Sequence, residues 1–91
     1  MVPKKIADKL ADNGVEDDEE VMVIDNEALV DSMIGITSDR RVVYDFDMMV
    51  EDFVKAYGWD GIDAIEFIEY NIIRALPYYK DKAPIVFYPF E

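Results

Sequence analysis

The stretch between Asp60 and Pro77 constrains the fold of this chain more than any other. Ile62, Ile65, Phe67, Ile68, Ile72, Ala75 and Leu76 recur at the three- and four-residue intervals that gather side chains on one side of an α-helix. Asp60 supplies an N-cap, Asp63 follows three residues later in a capping-box-like arrangement, and Pro77 stops a helix. The spacing predicts a helix over about 61–76. An apolar stripe this wide needs a broad surface to lie on, and a β-sheet provides one.

Strands are predicted where that surface is needed. Residues 32–45 read as a β-hairpin, with Ser32 to Thr37 leading into the polar connection Ser38-Asp39-Arg40 and Arg41 to Asp45 leading out. Gly35 inside the first strand signals a bulge or the close approach of another backbone. Val21-Met22-Val23-Ile24 is a short apolar run consistent with a strand, and Glu27 to Asp31 fits either a helical turn or an extended connection. Ile85-Val86-Phe87-Tyr88, bracketed by Pro84 and Pro89, fits a sheet edge or a short terminal strand.

Two further helices complete the pattern. Asp47 is placed to cap a helix over about 48–57, with Met49, Val50, Phe53, Val54 and Tyr57 on one face, Glu51 and Lys55 paired on the other, and Gly58 at its end. Pro3 opens a helix over about 3–13 that Asn13-Gly14 ends. Its stripe of Ile6, Ala7, Leu10 and Ala11 is narrow and predicts loose docking of residues 1–14. The expected architecture is a single α+β domain over 1–91: a small antiparallel sheet of three to four strands with two amphipathic helices packed on one face. Its core is expected to hold Ile34, Ile36, Val43, Val50, Phe53, Ile65, Ile68, Ile72 and Val86.

Charge then limits the function. The chain carries 21 acids against 9 bases, a formal charge of −12, with neither His nor Cys. Disulfides, thiolate or imidazole metal sites, His bases and Cys nucleophiles are thereby excluded. Direct binding to nucleic-acid phosphates is disfavoured, because it requires Lys and Arg. A hydrophobic share of 52% separates the chain from disordered acidic tails. The acids fall in two blocks: ten over residues 12–39 with no base, and eight over residues 45–69 with Lys55 alone. Such blocks can give one face a strong field.

No run of about 18 apolar residues is present. Met1 to Lys5 begins like a signal n-region, but Asp8, Lys9, Asp12 and Asn13 interrupt any apolar continuation, so a cytoplasmic protein is expected. An acidic surface is also repelled by anionic lipids.

Candidate chemistry is sparse. Asp45 with Asp47, or Asp63 with Glu66, are pairs suited in principle to acid–base work or Mg²⁺, but helix capping and the N-terminal dipole account for them better. Asp12-Asn13-Gly14 and the acids at 16–20 lack the EF-hand spacing. Gly14, Gly35, Gly58 and Gly61 form no phosphate-binding loop. Neither metal nor cofactor is expected. Tyr78, Tyr79, Phe87, Tyr88 and Phe90 crowd into the last part of the chain, either as a recognition patch or as packing of the last strand. An edge strand with exposed aromatics also suits homodimer formation. Asn71 falls on the apolar side of the long helix, and Arg74 near its C-terminus suits the helix dipole.

The segments Arg41-Val42-Val43-Tyr44-Asp45-Phe46-Asp47-Met48, Ala64-Ile65-Glu66-Phe67-Ile68-Glu69-Tyr70-Asn71, Ile73-Arg74-Ala75-Leu76-Pro77-Tyr78 and Ala83-Pro84-Ile85 resemble a family of small acidic proteins from phages, prophages and other mobile elements of bacteria. The resemblance is confined to residues 41–88 and implies a genetic setting, a phage-like protein meeting host machinery, rather than an activity.

Charge density, the lack of catalytic groups and this setting lead to one expectation. The chain is expected to do no chemistry and to inhibit a basic, nucleic-acid-binding host defence protein by acidic mimicry or occlusion, with a CRISPR effector such as a Cas nuclease as the first partner to test. The expected contact residues are Glu16, Asp17, Asp18, Glu19 and Glu20 after the first helix, Asp52, Asp63, Glu66 and Glu69 on the others, and Tyr78 and Tyr79. The alternative is a small structural or regulatory adaptor that binds through its aromatic C-terminal edge while the acids serve only as solvation.

Overall fold

The computed structural model describes residues 2–16 and 19–90. It is an α+β fold built on a three-stranded sheet. Helix α1 spans Lys4–Asp12 and is followed, after an irregular stretch, by a 3₁₀ segment, Glu27–Ser32. Strands β1 (Met33–Ile36) and β2 (Val42–Asp45) form the expected hairpin. Helices α2 (Phe46–Tyr57) and α3 (Gly61–Phe67), a π-helical turn (Ile68–Ile72) and a 3₁₀ segment (Ile73–Lys82) lead to strand β3 (Ile85–Phe87).

The sheet is mixed rather than antiparallel. Its order is β1-β2-β3, with β2 antiparallel to β1 and parallel to β3. Parallel pairing needs a crossover, and the helical run from Phe46 to Lys82 supplies it. Val21 to Ile24 is not a strand. Both sides of β2 are already occupied, and tight turns bound the run: Val21 N–H donates to Glu19 O at 3.2 Å and Asn26 N–H to Ile24 O at 2.8 Å. Instead Ile24 is buried, and its N–H donates to the Tyr44 hydroxyl at 3.0 Å. Burial pushes the Tyr44 phenol up to about 12, the Ile24 N–H opposing this and Tyr79 adding to it.

Local chemistry explains the helix boundaries. β2 runs directly into α2, so the cap is Asp45 and not Asp47: Asp45 Oδ1 accepts from Met48 N–H at 3.1 Å, and Asp47 lies exposed in the first turn. Gly58 ends α2 in the left-handed region, φ 70°, where its N–H reaches Val54 O at 3.0 Å. Asn26 caps the 3₁₀ segment through Ala28 N–H at 2.9 Å, which makes residues 27–31 helical rather than extended. The expected Glu51–Lys55 pair does not form: the ion pairs among the described residues are Lys4–Asp8 and Arg40–Glu19.

The long helix predicted over 61–76 is helical throughout but not uniform in winding. It is α-helical to Phe67, widens into the π-helical turn, and tightens to 3₁₀ through Pro77. A proline lacks the amide and clashes with the carbonyl four residues back, so an α-ladder cannot pass it. The run breaks only at Lys80, which takes φ 63°.

The core contains Ile6, Leu29, Val42, Tyr44, Met49, Phe53, Ala64 and Ile68, all nearly inaccessible. Of the α1 stripe, Ile6 is fully buried and Leu10 half-buried while Ala7 and Ala11 are exposed, and Lys9 Nζ donates to Val30 O at 2.6 Å. Of the predicted core, Phe53, Ile68 and Ile72 are buried, while Ile36, Val43, Val50 and Val86 are half-buried. Ile34 is 48% exposed because neighbouring strand residues point to opposite faces and Met33 is the one turned inward; a β-bulge shifts the register between Met33 and Gly35. Gly35 thus marks a bulge; no neighbouring atom approaches the place of a side chain there. On α3 and the π-helical turn only Ala64, Ile68 and Ile72 face the core, so Ile62, Ile65 and Phe67 remain exposed.

Candidate functional site

The uncovered part of that helical run forms the site. Asp60 Oδ1 accepts from Asp63 N–H at 3.1 Å, fixing the first turn of α3. From there Asp63, Phe67, Tyr70 and Arg74 follow one another at intervals of about one turn, with Glu66 and Glu69 alongside. Together with Asn71 they line a shallow groove of about 680 Å³. The π-helical turn lies under Tyr70 and Asn71; such turns recur at functional sites because they re-aim side chains. Asn71 is exposed rather than turned to the core, and its amide donates to Phe67 O at 3.3 Å.

Aromatic packing holds the groove from beneath. Buried Phe53 contacts Phe67 edge to face at 5.4 Å and lies 5.8 Å from Trp59 and 5.6 Å from Tyr57, measured between ring centroids. Trp59 in turn lies 5.1 Å from Phe67 and stacks on Tyr57 at 4.9 Å. Tyr70 is 69% exposed, and the guanidinium carbon of Arg74 lies 4.5 Å from its ring centroid. Arg74 thus stacks on an aromatic face, beyond any service to the helix dipole. Asp63, Glu66 and Glu69 belong to neither ion pair found among the described residues. The groove therefore presents three open carboxylates beside exposed aromatic surface.

The other expected contact residues are scattered. Asp17 and Asp18 lie outside the described residues. Glu16 and Glu20 are exposed, but Glu19 is engaged: it receives Arg40 Nε at 2.7 Å and Nη2 at 2.9 Å. The Glu16 N–H, then Arg40, holds the Glu19 carboxyl below its ordinary value. Tyr78 is 86% exposed and Tyr79 half-buried; both lie on the 3₁₀ segment, outside the groove. Tyr88 is exposed at one edge yet packs on Phe46, ring centroids 4.5 Å apart.

Asp52 makes a contact within the fold. It is half-buried and accepts the Ser32 hydroxyl, tying α2 to the preceding 3₁₀ segment. Burial raises its pKa, and the Ser32 hydroxyl opposes that rise only in part. A carboxyl raised on folding contributes stability below the ordinary carboxylate range and loses it as pH climbs through the raised value. Asp52→Asn is therefore expected to be more stable than the parent at pH 7, an advantage that vanishes as pH falls through that range. Urea unfolding at several pH values measures it, and an Asn variant less stable at pH 7 would contradict the assignment.

Among the described residues no three carboxylates gather closely enough to hold a metal ion, and no helix is long and apolar enough to cross a membrane. Searches of family models, curated proteins and solved structures return no match.

Phe67 escaped sequence reasoning as a groove residue because it fits the buried stripe by period. The pairing of Tyr70 with Arg74 four residues later was the available signal.

Proposed function

We propose that this chain is a stoichiometric acidic inhibitor that occupies the nucleic-acid-binding surface of a basic host protein and performs no chemistry. The observation that carries the reading is the groove itself: Asp63, Glu66 and Glu69, in no ion pair among the described residues, stand beside the exposed rings of Phe67 and Tyr70 on a protein of net charge −12. Carboxylates on a rigid helical face attract clustered Lys and Arg as phosphates do, and adjacent rings add contact area at little entropic cost. The resemblance of residues 41–88 to small acidic phage proteins supports a bacterial defence protein as target, and a Cas nuclease is the first to try.

The test is binding to a guide-loaded Cas nuclease at two salt concentrations, with target DNA as competitor. Raising salt from about 50 to 200 mM is expected to weaken the complex on the order of tenfold. DNA and the chain are expected to exclude each other. An affinity insensitive to both salt and DNA rejects electrostatic occlusion. The same result combined with loss of binding in Tyr78→Ala would favour the adaptor reading, which rests on the exposure of Tyr78 and Phe90.

A further inference from the structure

The groove contains a rehearsal of its own ligand. Arg74 is the one cation lining it among the described residues, and its guanidinium lies over the Tyr70 ring, 4.5 Å from the centroid, instead of pairing with Asp63, Glu66 or Glu69. A planar guanidinium stacks on an aromatic face while keeping its edge donors for carboxylates; an ammonium is a compact point charge without that geometry. We infer that the Tyr70 face is an arginine-docking position, occupied in the free chain by Arg74, which an arginine side chain of a protein partner displaces. The incoming guanidinium would stack on Tyr70 and direct its N–H groups to the groove carboxylates.

Three features select this occupant. The exposed ring supplies the stacking surface, the open carboxylates supply complementary charge, and Arg74 demonstrates that the geometry accepts a guanidinium. The inference rests on the proposed acidic inhibition and deepens it by naming the side chain that is recognised.

The experiment titrates the full chain with two peptides of equal length and charge, one carrying arginines and the other lysines, at low salt. Isothermal calorimetry gives affinity, and the single Trp, Trp59, which packs on Phe67, reports occupancy by fluorescence. The arginine peptide is expected to bind about threefold tighter. Tyr70→Leu should abolish that preference, bringing the two peptides to equal affinity. Arg74→Lys keeps the charge but lifts the competing guanidinium off the ring. It should strengthen arginine-peptide binding more than lysine-peptide binding, widening the preference. Equal affinities for the two peptides, or a preference that survives Tyr70→Leu, would overturn arginine docking without touching acidic inhibition. Failure of both peptides to bind at low salt would overturn both.

Discussion

Phe53→Ala is expected to cost about 3–5 kcal/mol of folding free energy, a large part of what a domain of this size possesses. Phe53 is fully buried and contacts Tyr57, Trp59 and Phe67, so its loss leaves a cavity at the junction of α2 and α3. None of those rings can collapse into the space without leaving its other neighbours. Urea unfolding followed by Trp59 emission measures the change and should show a red-shifted folded baseline as Trp59 loses its support. Phe53→Leu keeps most of the volume and is expected to lose roughly 1–2 kcal/mol. A loss below about 1 kcal/mol for the alanine variant would mean that the rings are not mutually supporting.

The largest effect on binding is expected from Asp63→Lys, Glu66→Lys and Glu69→Lys combined. Each reversal removes an attraction and adds a repulsion, and at about 0.7 kcal/mol in all per reversed exposed position the triple change weakens a basic partner on the order of 30-fold. All three positions are exposed and none supplies the α3 cap, so the fold should survive. The control is Asp12→Lys, Glu16→Lys and Glu20→Lys, which changes net charge by the same amount at exposed positions outside the groove. It is expected to weaken binding less than threefold. Equal losses from the two triples would show that overall charge, rather than the groove, attracts the partner.

The α+β class, the hairpin and its bulge, the helix stop at Gly58 and the Asp60 cap were legible because each depends on residues close in sequence. The parallel β2–β3 pairing was not: no local signal distinguishes an edge strand that returns antiparallel from one that returns through a crossover. The same limit applies to the site. Periodicity assigned Ile62, Ile65 and Phe67 to one apolar stripe, but a helix buries only the strip its neighbours reach, here Ala64, Ile68 and Ile72. Charge counting likewise grouped Glu19 and Asp52 with the displayed acids. Only tertiary contacts, with Arg40 and Ser32, set these two apart from Asp63, Glu66 and Glu69.

The bulge at Ile34 has a bearing on how copies of this protein behave at high concentration. Both outer strands of the sheet are poor templates for strand addition. β1 is interrupted by its extra residue, and β3 offers three residues between two prolines that lack the amide needed to lengthen a ladder. The length of ladder that either edge can add to is thus limited by the backbone itself, whatever the charge of the surface. Neutralising a substantial share of the carboxylates should leave the shape of both sheet edges as it is, so that any change in self-association would report on charge alone.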